Sequence, residues 1–163
     1  MATTLTITLA VDRPTWRQDE SITFTGTYAN VGDAPLALTF WWNRLLRVTD
    51  AQGHVVTPGP GPVLPCGVAE DWTVLKPGER LDRIEPLGCT QPAGPRKAIG
   101  WSYTLAPGRY RVRLVCEWPP AHGFTQSEPH PQGFRGHVES NEVDLTVEPP
   151  APKKGLLARL LGR

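Results

Sequence analysis

The sequence predicts an all-β fold, an immunoglobulin-like antiparallel β-sandwich with a short C-terminal amphipathic helix on a Pro-rich linker. Three observations carry this. Apolar and polar residues alternate in short runs separated by turn signals. Eighteen prolines and sixteen glycines, about a fifth of the chain, supply those turns. No helical periodicity occurs before residue 153.

The first run sets Leu5, Ile7, Leu9 and Val11 against Thr4, Thr6, Thr8 and Ala10, a strand with one buried face. Ile22, Phe24, Gly26 and Tyr28 repeat the pattern, and the turn NVGDAP follows. Leu36, Leu38 and Phe40 predict a third strand. LLRVTDAQGHVV predicts a hairpin turning at Asp50–Gly53. DWTVL, RLDRIEPL, RYRVRLVCEW and VESNEVDLTVE complete the set. Two Pro-Gly pairs, Pro77-Gly78 and Pro107-Gly108, predict matching β-turns, with Pro fixing φ and Gly taking positive φ. After the second pair, Tyr110 shares a face with Val112, Leu114 and Cys116, the place of a tyrosine corner.

The runs NVGDAPLALTF, VTDAQGHVV, LKPGERL and LAPGRYRV together resemble the bacterial intracellular proteinase inhibitor family over residues 21–117. That resemblance implies an immunoglobulin-like domain, and inhibition as one alternative function. No reactive-loop residue carries over, and segments 57–71 and 88–100 exceed the family pattern.

The start of the chain has no basic region ahead of an apolar run, which predicts a first strand, a cytoplasmic protein and reduced thiols at Cys66, Cys89 and Cys116. Simple alternation of strands predicts loops 12–20, 41–43, 57–71 and 88–100 at one end. Trp16, Trp41, Trp42, Trp72 and Trp101 lie in or beside them. That grouping predicts either a plug for the open end or a partner-binding surface, with a carbohydrate-binding module as a second alternative. A bridge between Cys66 and Cys89 stays open on the same grounds. The connection 119–137 carries Phe124 and Phe134 as candidates for peptide contact. His122, His130, His137 and Glu128 fit no metal-ligand spacing, so neither metal nor cofactor is expected.

The chain has no nucleophile elbow, zinc-protease helix or phosphate-cradling loop, and the expectation is a protein that is not an enzyme, with no catalytic residue. Arg109, Arg111 and Arg113 alternate along one strand face in a mildly acidic body, which reads as a solvated face rather than a nucleic-acid contact.

The strongest functional pattern is the end, EPPAPKKGLLARLLGR. Lys153, Lys154, Arg159 and Arg163 carry its charge, leaving thirteen basic against sixteen acidic side chains before residue 151, a net of −3. Leu156, Leu157, Leu160 and Leu161 share one helical face, and EPPAP is a stiff spacer. Lys153, Lys154, Gly155, Leu156, Leu157, Arg159, Leu160, Leu161 and Gly162 resemble the membrane-targeting helix of the Min-system division ATPase, whose pattern is Lys-Lys-Gly, two apolar residues, a polar residue, Arg, two apolar residues, Gly. Ala158 departs from it, standing where that family has a basic residue. The resemblance implies docking on an anionic membrane surface; a protein scaffold would meet the same apolar face. The organisation predicted is a sandwich at 1–148 and a linker with basic tail at 149–163. The function predicted is a non-catalytic binding or adaptor module, tethered by its tail and binding a protein partner.

Overall fold

The computed structural model describes residues 4–38, 44–57, 72–87, 103–118 and 131–151, and among these every regular element is a strand. In chain order they are β1 (Leu5–Val11), β2 (Thr15–Arg17), β3 (Ile22–Asn30), β4 (Leu36–Leu38), β5 (Arg44–Asp50) and β6 (Val55–Val56). Then come β7 (Thr73–Leu75), β8 (Arg80–Leu87), β9 (Gly108–Trp118), β10 (Gly136–Glu139) and β11 (Val143–Glu148).

One sheet has the order β1-β3-β8 and the other β2-β11-β9-β5-β6, with β10 continuing the pairing of β9. The leading segment divides between the sheets: β1 pairs β3 antiparallel, and β2 pairs β11 in parallel. This is the strand order of an immunoglobulin-like sandwich, confirming the predicted all-β class. A small third pairing joins β4 to β7.

Alternation does its expected work. In β1, Leu5, Ile7 and Leu9 are buried while Thr6, Thr8 and Ala10 are exposed. In β3, Ile22, Phe24 and Tyr28 face the same core, against Val112, Leu114 and Cys116 of β9 and Leu145 and Val147 of β11. Gly26 leaves no room for a side chain: a Cβ there would stand 3.0 Å from a methyl of Leu114 and 3.3 Å from the Tyr28 ring, so a larger residue must displace those side chains.

The two Pro-Gly pairs differ. At Lys76–Glu79 the Glu79 N–H donates to the Lys76 carbonyl at 3.0 Å, and Gly78 has φ +78°. That is the predicted turn. Gly108 has no positive φ; it opens β9 and pairs with Val147. Pro107-Gly108 therefore leads straight into a strand, because β11 supplies a partner there and no reversal is needed. The Asp50–Gly53 hairpin forms as predicted, with Asp50 N–H donating to His54 O at 2.9 Å.

The last predicted run is two strands. Val115 pairs Glu139, yet Val112 pairs Val143, so one extra residue enters between them. This is a β-bulge at Ser140–Glu142. The Ser140 hydroxyl accepts from Leu114 N–H at 2.9 Å, replacing a lost ladder bond.

The predicted grouping of loops is corrected. β3 carries the chain the full length of the sandwich, from the end shared by Val11 and Leu87 to the end shared by Leu5 and Arg80. β4 starts near that second end, where Leu36 pairs Leu75 and the Leu75 carbonyl accepts from Asn30, and β5 begins beside Cys116. The described residues flanking 12–20 and 88–102 thus stand at one end, and those flanking 39–43 stand at the other.

Candidate functional site

The tail residues Lys153, Lys154, Leu156, Leu157, Arg159, Leu160, Leu161 and Arg163 lie outside the described residues, as do Trp41, Trp42, Trp101, Phe124, Cys66 and Cys89. What the structure provides is the base from which that segment leaves. Among the described residues Val147 is the last buried one, at 2% exposure, and Glu148, Pro149, Pro150 and Ala151 are all exposed.

That base is held by a local clamp. Thr146 N–H donates to Pro14 O at 2.7 Å, and Gln18 N–H donates to Glu148 O at 2.9 Å. Between them Trp16 is buried against the core, and its indole N–H donates to the Arg13 carbonyl at 2.8 Å. The Arg13 guanidinium lies 3.9 Å from the Trp16 ring centre and 3.0 Å from Glu20. The Glu20 carboxylate also accepts from Arg17 N–H at 2.8 Å. That backbone bond, then Arg13, lowers its pKa below the ordinary value. Residues 13–20 thus wrap the edge of β11 and fix the direction in which the chain leaves.

Trp16 is therefore a core residue, and so is Phe134, at 7% exposure. Burial removes both from any face open to a partner, which corrects the expectation that they bind one. Phe134 is held by its backbone: Ala37 N–H donates to Gln132 O at 2.8 Å and Phe134 N–H to Ala37 O at 2.9 Å. The end of the 119–137 connection is pinned to β4 by this parallel bridge. Trp72 is half-buried and packs on the core. Cys116 is buried on the inner face of β9, as expected.

The outer face of the larger sheet carries a charge ladder that the sequence reading half anticipated. Glu139 meets Arg47 at 2.8 Å, Arg113 at 3.2 Å and His137 at 3.1 Å. Glu142 meets Arg113 at 2.9 Å and Arg111 at 3.4 Å. The hydrogen bond from His137, followed by the arginines, lowers the pKa of Glu139. Two of the three alternating arginines are thereby paired with acids of the same chain, which fits a solvated face. The signal was the two glutamates of ESNE, which the bulge turns to the same face.

Inside the sandwich, Glu85 is buried and accepts from the Tyr28 hydroxyl at 2.9 Å. Among the described residues no three His, Cys, Asp or Glu side chains gather in a metal-holding group, and no helix is long and apolar enough to cross a membrane.

No family model and no curated protein matches the chain. Among solved structures, the crystal structure of the CARDB domain of the PF1109 protein from Pyrococcus furiosus, in complex with di-metal ions, is similar at a TM-score of 0.41. It is 12% identical, over 90% of this chain and 93% of that one. The immunoglobulin-like assignment rests on the strand order.

Proposed function

We propose that the protein is a non-catalytic binding module, tethered to an anionic membrane surface by residues 152–163. The observation that carries this reading is the pattern of the tail: four leucines on one helical face, four basic residues around them, and a proline spacer behind. The closed body supports it, because the described core is filled by Val147 and the chain then runs out exposed.

Magnitudes favour a reversible tether. A helix of about a dozen residues is marginal in water and forms when its apolar face is covered. Burying four leucines gains roughly 6–12 kcal/mol before ordering costs. Each basic residue near an anionic surface adds about 1 kcal/mol. The body carries a net of −3, so the electrostatic attraction belongs to the tail. The linker leaves from the clamped end of β11.

The experiment is vesicle sedimentation of the intact chain beside a chain ending at Ala151. The intact chain should pellet with phosphatidylglycerol vesicles and the shortened chain should not. Equal pelleting of both would remove the tail from the account. If neither pellets, yet only the intact chain is retained by cell particulates stripped of lipid, the tail docks on protein.

A further inference from the structure

The outer face of the smaller sheet contains a trough that the tether does not explain. One row across this sheet is Thr6, Ala29 and Arg80, and the next is Thr8, Thr27 and Asp82. Ala29, in the central strand, is the smallest side chain of its row and leaves a hollow between Thr6 and Arg80. The turn at Val31–Gly32 and the turn at Gly78 close one end. Both glycines keep that rim low. The hollow measures about 310 Å³, the lower size range of small-molecule sites.

Accounting for its polar groups shows which remain available. Val31 N–H donates to Thr4 O, Gly78 N–H to Asn30 O, and Gly32 N–H to the Asn30 side-chain oxygen. The Thr27 hydroxyl donates to Asp82 at 2.6 Å. Arg80, Thr6 and Thr8 have no such commitment. Among the described residues Arg80 makes no ion pair, whereas Arg47, Arg111 and Arg113 all do. The hollow thus offers one guanidinium, with its planar fork of donors, and two hydroxyls at the spacing of alternate residues on one strand face.

We infer that this trough binds a hydroxylated organic anion of about monosaccharide size. Arg80 takes its carboxylate or phosphate group, and the Thr6 and Thr8 hydroxyls meet its hydroxyls. The trough lies toward the Asn30 end of the sandwich, away from the end at which residue 148 leaves. The inference does not depend on the tether.

Nitrogen–proton correlation spectra of the full chain, titrated with glucuronate, glucose and inorganic phosphate, test it. Glucuronate should shift the amides of Thr6, Ala29, Gly32 and Arg80 saturably, and glucose should not. Arg80→Gln, an exposed change, should weaken glucuronate binding roughly tenfold or more, the usual worth of a charge-assisted bond. Thr6→Val with Thr8→Val should weaken glucuronate more than phosphate. No saturable shift, equal response to glucose, or unchanged binding in Arg80→Gln each overturns the inference. Phosphate binding as tightly as glucuronate, with no effect of the threonine changes, overturns its hydroxyl half.

Discussion

Two tyrosines show how differently residues of one type can be anchored. Tyr110 donates to the Ala106 carbonyl at 2.7 Å, four residues upstream, and ties the start of β9 to the segment that leads into it. Tyr110→Phe should lower stability by about 1 kcal/mol in urea unfolding, since the bond is partly solvated; no change would show that the corner contributes nothing. Tyr103 is buried and donates to the Leu46 carbonyl, and burial pushes its pKa from 10.0 up to about 12. The folded state thus holds the phenolic proton more tightly than the unfolded chain. That contribution is intact below pH 10 and is lost as pH rises toward 12. Tyr103→Phe should be less stable than the parent near neutral pH, with the gap narrowing in alkali; a gap constant with pH would contradict the assignment. Tyr110 was legible in the sequence because its partner is local. Tyr103 was not, because its partner lies 57 residues away in β5.

At the scale of elements, alternation made the inner faces of β1, β3 and β9 readable, and the hairpin at Asp50–Gly53 followed from its turn residues. What escaped were features set by partners. The bulge at Ser140–Glu142 arises because β9 must serve both β10 and β11, and no local pattern announces it. It also releases Asn141 for a task a ladder residue cannot perform. The Asn141 side chain accepts from Leu9 N–H at 2.8 Å and donates to Leu9 O at 3.0 Å, joining β1 to the opposite sheet. Asn141→Ala should cost about 1–2 kcal/mol, with water replacing part of the lost bonding. The Leu9 amide should then exchange with solvent faster than amides elsewhere in β1. Uniform exchange along β1 would mean that the sheets are held together without this link. The predicted grouping of 41–43 with 12–20 and 88–100 failed for a like reason, since the described residues flanking 39–43 take their places from distant partners, Leu75 and Cys116. Burial also takes Trp16 and Phe134 out of the candidate surface.

For the whole molecule, Val147 is the last buried residue among those described, and beyond it the sequence is amphipathic and basic. The tail is proposed from sequence alone, because helical spacing and charge need no tertiary partner to be read. The trough beside Arg80 is not, since it depends on which residues three strands bring into one row. The most direct test of the tether is co-sedimentation of the intact chain with vesicles of increasing phosphatidylglycerol content, at low and high salt, beside Leu157→Glu, Leu160→Glu and Arg159→Glu. Binding should rise with anionic lipid and fall with salt, because the basic residues act through a screened potential. Either leucine change should abolish it, and Arg159→Glu should weaken it. Binding that ignores lipid charge, or that survives a glutamate on the leucine face, would contradict the account.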